Sequence, residues 1–300
     1  MTRVEYLYLT AAGILWGSGH PVIRYILAKG NSQMNALHIA FLSTIVGLIL
    51  LSAVLAQRQG LHRLKMLGRR GIIVAGAIGC LQYGLYPIMS YTALSYIPAS
   101  LNAIIVGSSP ILIALLSRVL LQERLRAVGY AGILLAFVGL FILVGGYGAE
   151  SASLLGLALS ATGALVASIY AVAGRYLMRS HDALAVSQLG ISAGLLVLAY
   201  VTYSLTGFGG LFASASMDLL LVTYWGIAVT MGNLLFYLAL KKLDAARAGS
   251  FFFVSPIAAA SLSVIFLGEP LTVLMVLGMV ATLMGIRLTQ LAVVRRAAGS

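Results

Sequence analysis

Residues 91–111 read YTALSYIPASLNAIIVGSSPI, and residues 237–257 read YLALKKLDAARAGSFFFVSPI, a second version of the same text 146 positions later. Carried forward without a gap, the offset matches Leu121, Glu123 and Leu125 to Leu267, Glu269 and Leu271, then Gly132 and Gly139 to Gly278 and Gly285, for 15 identities over residues 91–139. Apolar composition alone does not align Ser-Pro-Ile and a rare glutamate in one register. A weaker match pairs Arg24 and Tyr25 with Arg175 and Tyr176. The chain is therefore read as a duplication, residues 1–148 and 149–300.

The solvent of each copy follows from composition. The chain is 61% hydrophobic and 9% charged over 300 residues, with a mean hydropathy of +1.04, far from a soluble domain. Apolar runs long enough to cross a hydrocarbon core of roughly 30 Å recur at residues 4–27, 36–56, 72–94, 99–118, 127–147, 154–174, 184–206, 217–240, 246–267 and 271–291. The expected fold class is an all-α integral membrane protein of ten transmembrane helices. Five helices per copy is an odd number, so the two copies enter the membrane from opposite faces as inverted repeats. The first run is too long for the apolar core of a cleaved signal peptide and lacks its flanks.

Charge sets the orientation. With the amino terminus inside, 17 of the 19 Lys and Arg fall on the cytoplasmic side, leaving Arg24 and Lys29 opposite. Both termini are expected in the cytoplasm of a bacterial inner membrane. The net charge of +12 is on this reading an orientation device rather than a nucleic-acid footprint. The one cysteine, Cys80, excludes an intramolecular disulfide. No Walker-type stretch is present to bind ATP. No cofactor or metal is expected; the expected partners are membrane lipids and a small-molecule substrate, with a monomer as the functional unit.

The stretch ILWGSGHPVIRY at residues 14–25 brings polar and helix-breaking residues into the first span. A Ser–His catalytic pair is disfavoured, because Ser18 and His20 stand two apart on a helix and point to different faces, and the spacing is not that of a nucleophile elbow. A hinge fits better. Pro21 removes the helix partner of the Gly17 carbonyl, and Gly17 and Gly19 ease unwinding. Pro87, Pro110 and Pro256 place the same device in spans three, four and nine. At membrane depth a freed carbonyl is tolerated beside protein or a water-filled cavity.

This text is similar to the drug/metabolite transporter superfamily, and within it to the ten-helix EamA-type branch, on "ILWGSG" in the first span and on the two "SPI" segments followed by Glu123 and Glu269. Within that branch the chain resembles the YddG-type amino acid exporters. It departs from many relatives in the second span, ALHIAFLSTIVG, where His38 and Phe41 stand in place of an arginine near an aromatic. The resemblance implies secondary transport by alternating access, in the direction of export.

The expected substrate-binding residues are Trp16, His20, Gln82, Tyr83, Tyr86, Asn102, Ser109, Trp225, Asn233, Tyr237 and Ser255. Trp and Tyr prefer the bilayer interfaces, so those placed deeper are expected to face a cavity, although small and polar side chains also join membrane helices to one another. All seven acids fall at span ends or in loops. Glu123 and Glu269 are expected to complement the dipole at the start of the next helix. With no carboxylate in the core to carry a proton or bind a lipophilic cation, a neutral or zwitterionic metabolite is the expected cargo, amino acids with aromatic side chains included. A proton-coupled drug or metabolite antiporter using His20 is the alternative. An intramembrane enzyme and a channel stand further off.

Overall fold

The computed structural model describes residues 3–28, 34–57, 60–97, 102, 105–123, 125–145, 153–212, 216–267 and 272–291. Among these residues all regular structure is helical. The principal helices are α1 (Arg3–Ala28), α2 (Ala36–Ala56), α3 (Gly68–Ala93), α4 (Ile105–Leu120), α5 (Ala127–Gly145), α6 (Leu154–Met178), α7 (Ala183–Thr206), α8 (Ser216–Leu240), α9 (Ala245–Phe266) and α10 (Val273–Leu291). Seven of them, α2, α3 and α6–α10, are long and apolar enough to cross a membrane, and α4 and α5 contain shorter apolar helices. Helix α1 has 26 residues, ample for a bilayer core. Its polar Gly-Ser-Gly-His-Pro insert lowers its hydropathy.

Several ends are written locally. Asn35 and His38 form a capping box at the start of α2. Asp182 accepts from the backbone N–H groups of Leu184 and Ala185 at the start of α7. Gly207, at φ +64°, ends that helix.

The glycines of the sequence repeat meet each other in space. Helices α5 and α10 pack along their length, and a Cβ on Gly132 would stand 2.6 Å from the Thr289 nitrogen, while one on Gly139 would stand 2.5 Å from that of Thr282. Gly278 and Gly285 press in the same way on Leu143 and Ala136. Small residues let the backbones approach, and Thr282 and Thr289 add hydroxyl bonds to the Ala136 and Gly129 carbonyls, both at 3.4 Å. Advancing one member of each contact by 146 and setting the other back by 146 turns the Gly132–Thr289 contact into Gly278–Leu143, and Gly139–Thr282 into Gly285–Ala136.

The remaining packing has the same reciprocity. Helix α1 lies against α8 and α9, and α6 lies against α3 and α4. Gly17 abuts the Ser255 carbonyl, and Ser168, its counterpart at the spacing that matches Arg24 to Arg175, donates to the Ser109 carbonyl at 3.3 Å. Helices α2, α3, α7 and α8 pack together beside this frame.

Candidate functional site

The prolines act one turn upstream of themselves, unevenly. Helix α3 is α-helical over Gly68–Gly79, opens into a π turn at Cys80–Leu85 and resumes at Tyr86–Ala93. Pro87 explains the position: it cannot donate to the Tyr83 carbonyl four residues back, and its ring crowds that carbonyl. The chain widens, and the Tyr86 N–H reaches back five residues to Leu81. In α9 the segment before Pro256, Ser250–Phe253, tightens instead into a 3-10 turn. In α4 the Ser109 hydroxyl bonds the Val106 carbonyl, the one Pro110 frees, at 2.6 Å.

At the hinge expected in α1 the helix runs unbroken through Pro21. Gly17 and Gly19 are spent on close packing, one against the Ser255 carbonyl and the other against the Trp225 ring, so a neighbour occupies the space unwinding would need.

The π turn directs Gln82 and Tyr83 into the bundle, where both are buried. The Tyr83 ring lies in a groove of α7 lined by two glycines: a Cβ on Gly194 would stand 2.5 Å from the Tyr83 Cβ, and one on Gly190 3.5 Å from its Cε2. The ring carries the hydroxyl to Ser187 and Asn233 without completing a hydrogen bond to either. Asn233 Oδ1 accepts from Trp16 Nε1 at 3.1 Å. One turn further along α8, the Tyr237 hydroxyl donates to Gln82 Oε1. Trp16 meets Phe236 and Phe252 edge-on at centroid distances of 5.5 and 5.1 Å, and those two rings stand 5.2 Å apart. Residues from α1, α3, α7, α8 and α9 thus form one cluster of neutral polar groups beside an aromatic wall.

The other expected residues divide. Tyr86 faces Tyr170 of α6 at 6.0 Å. Trp225 donates to the Tyr91 hydroxyl at 3.1 Å, in a separate apolar cluster with Ile23, Ile26 and Ile39. Asn102 accepts from Ser160 at 2.7 Å and Ser109 reaches the Ala164 carbonyl at 3.3 Å, so both are engaged in joining α6 to its neighbours. Ser255 presents its carbonyl to Gly17. His20 lies in α1, and its side chain falls outside the described residues. His38 caps α2 and bonds the Gly207 carbonyl at 3.0 Å, and Phe41 stacks on Phe208. Sequence reasoning missed Tyr91, Tyr170, Ser187, Phe236 and Phe252. Only Ser187 had a readable signal, standing three and seven residues before Gly190 and Gly194 on one face of α7.

One end of the bundle is tied by charge. Glu123 does complement a helix start, but that of α9 rather than α5: its Oε2 accepts from the Ala245 N–H at 2.8 Å, while Oε1 meets Arg175 at 3.2 Å and Arg179 at 3.0 Å. Arg175 also bonds the Leu240 carbonyl and stands 3.7 Å from Asp244. Lys242 meets Glu5 at 2.7 Å, and that carboxylate raises the lysine above its usual 10.5. Buried Arg247 reaches the Tyr6 hydroxyl. Glu269 lies outside the described residues.

Residues 3–145 and again 154–291 match the EamA-like transporter family. A protein of Archaeoglobus fulgidus named as an uncharacterized transporter is 24% identical over 288 residues, covering 94% of this chain and 97% of its own. The uncharacterized transporter YvbV of Bacillus subtilis is 26% identical over 276 residues, 91% of this chain and 87% of its own. One crystal structure shares the fold at a TM-score of 0.78 with 20% identity, covering 97% of this chain and 98% of that one.

Proposed function

Because the chain belongs to the EamA-like transporter family, and is a multi-pass membrane protein by its apolar helices, we propose that it is a secondary transporter of small neutral or zwitterionic metabolites, above all amino acids with aromatic side chains. Its ten helices span a bacterial inner membrane as two inverted five-helix repeats with both termini cytoplasmic. Alternating access moves the substrate outward without ATP. Two halves of like shape and opposite orientation exchange conformations, opening one face and then the other. The reciprocal contacts of α5 with α10, and of α1 and α6 with their neighbours, support the duplication, as does the family match to each half.

The observation that carries the substrate class is the cluster around Tyr83. Gln82, Tyr83, Ser187, Asn233 and Tyr237 supply hydrogen bonds without a formal charge, and Trp16, Phe236 and Phe252 supply flat apolar surface. Such a lining suits a ligand with one polar end and a bulky neutral side chain. The test is efflux from proteoliposomes loaded with a mixture of labelled amino acids: loss of aromatic species faster than from protein-free vesicles is expected, and retention of every species refutes the substrate class. Reporter fusions after Gly60 and after Gly148 are expected to read cytoplasmic and external respectively, and the same side for both refutes the topology.

A further inference from the structure

Within the cluster, three polar atoms are shut off from water and lack a hydrogen-bond partner: Gln82 Nε2, the Tyr83 hydroxyl and the Ser187 hydroxyl. Buried polar groups in a folded protein are nearly always paired, and an unpaired one carries the full cost of its lost hydration. These three belong together. Gln82 and Tyr83 are successive residues of the π turn, and the Tyr83 hydroxyl faces Ser187 and Asn233. Resting on the transporter reading, we infer that Gln82 Nε2, Tyr83 and Ser187 form the subsite that takes the carboxylate of the transported molecule, whose side chain then lies along Trp16, Phe236 and Phe252.

The chemistry of each atom selects that group. The Tyr237 hydroxyl occupies Gln82 Oε1, which fixes the amide with its NH2 turned away as a pure donor. Tyr and Ser hydroxyls can both donate. Three donors call for an oxygen acceptor, and an ionised acceptor makes bonds roughly twice as strong as a neutral one. A carboxylate held by two or three neutral donors is stable as the anion. A phosphate dianion would require cations, and none of the residues in the cluster is Lys or Arg. The Asn233 carbonyl oxygen already accepts from Trp16 Nε1 at 3.1 Å.

The experiment compares two probes that share a side chain and differ at the polar end, labelled phenylalanine and labelled phenethylamine, in proteoliposomes of the wild type, Ser187→Ala and Tyr83→Phe. The wild type is expected to move the acid in preference to the amine. Each variant is expected to lower kcat/KM for the acid by roughly tenfold, mostly through KM, as one bond to a charged acceptor is lost. The preference of the transporter for the acid over the amine is expected to shrink by the same factor in these variants. Removing an unpaired hydroxyl should leave the thermal midpoint of the ligand-free protein unchanged or raised, whereas a group that served the fold alone would lower it. Variants that move the acid as well as the wild type does, a midpoint that falls, or a wild type that prefers the amine each overturn the subsite and leave the transporter standing. A wild type that moves neither probe overturns the amino acid reading along with it.

Discussion

Replacing Glu123 with glutamine keeps the shape of the side chain and removes the charge that ties the two halves together at one end. The carboxylate is nearly enclosed, with 7% of its side chain exposed, and Arg175 beside it has 11%. Removing one partner from a buried ion pair costs about 3–5 kcal/mol, because the other charge is left buried and unmatched. Here Arg175 retains the Leu240 carbonyl and Asp244 at 3.7 Å, and Arg179 is 37% exposed and can turn to water. The amide can still accept from Ala245. These allowances lower the figure to about 2–3 kcal/mol. If the tie holds this end closed, a change of that size shifts the balance between closed and open by roughly 30- to 150-fold. The reporter is a cysteine at the fully buried Ala248 in α9, introduced with Cys80→Ser and attacked by a membrane-impermeant maleimide from the face of Glu123. The labelling rate should rise about 30-fold or more in Glu123→Gln. An unchanged rate with an unchanged thermal midpoint refutes the estimate, and a lowered midpoint with an unchanged rate makes the cluster a matter of stability alone.

Other expectations follow from single contacts. The Glu5 carboxylate raises Lys242 above 10.5, so the pair's contribution is fully present below that pH and is lost as pH rises through the raised value; the midpoint difference between wild type and Lys242→Met should hold from neutral pH to about 10 and shrink above it. Gly285→Leu puts a side chain into the Ala136 backbone, and should cost more than the roughly 1–3 kcal/mol typical of overpacking, because neither backbone can yield; a monodisperse protein of normal melting temperature in detergent would contradict the crossing. An imposed pH gradient without a solute gradient should drive no accumulation of amino acid in proteoliposomes. Accumulation abolished by His20→Ala would make that histidine a proton carrier and displace the gradient-driven mode.

The helices were legible because apolar length is a strong signal, and where their ends are described the positions agree with the apolar runs to within a few residues. The four aligned glycines were read as evidence of duplication; that they also meet across the α5–α10 crossing depends on packing, which a sequence offset does not contain. Four prolines look alike in the sequence, yet the turn before each differs with its neighbours. Ser255 and Trp225 press on the glycines of α1, which stays α-helical, while the two glycines of α7 give Tyr83 a groove and α3 widens there. Glu123 was recognised as a helix-start carboxylate and assigned to the wrong helix, since proximity along the chain was the one guide available. Ser187 shares a face of α7 with Gly190 and Gly194, but that its hydroxyl is buried without a partner depends on packing the sequence does not contain.

The widened turn at Cys80–Leu85 also bears on how such a chain changes over generations. A π turn holds one residue more than the α-helix around it needs, and absorbs that residue locally. The segments on either side, Gly68–Gly79 and Tyr86–Ala93, therefore keep the phase they would have in an uninterrupted helix one residue shorter. A deletion of one codon in this stretch would close the turn and withdraw Tyr83 from α7 while the flanking segments kept their packing. Cargo preference could then be rewritten by the loss or gain of a single residue, a smaller step than any set of substitutions needed to rebuild the wall of rings, and it is in the length of this stretch, more than in its letters, that relatives with different cargo should part.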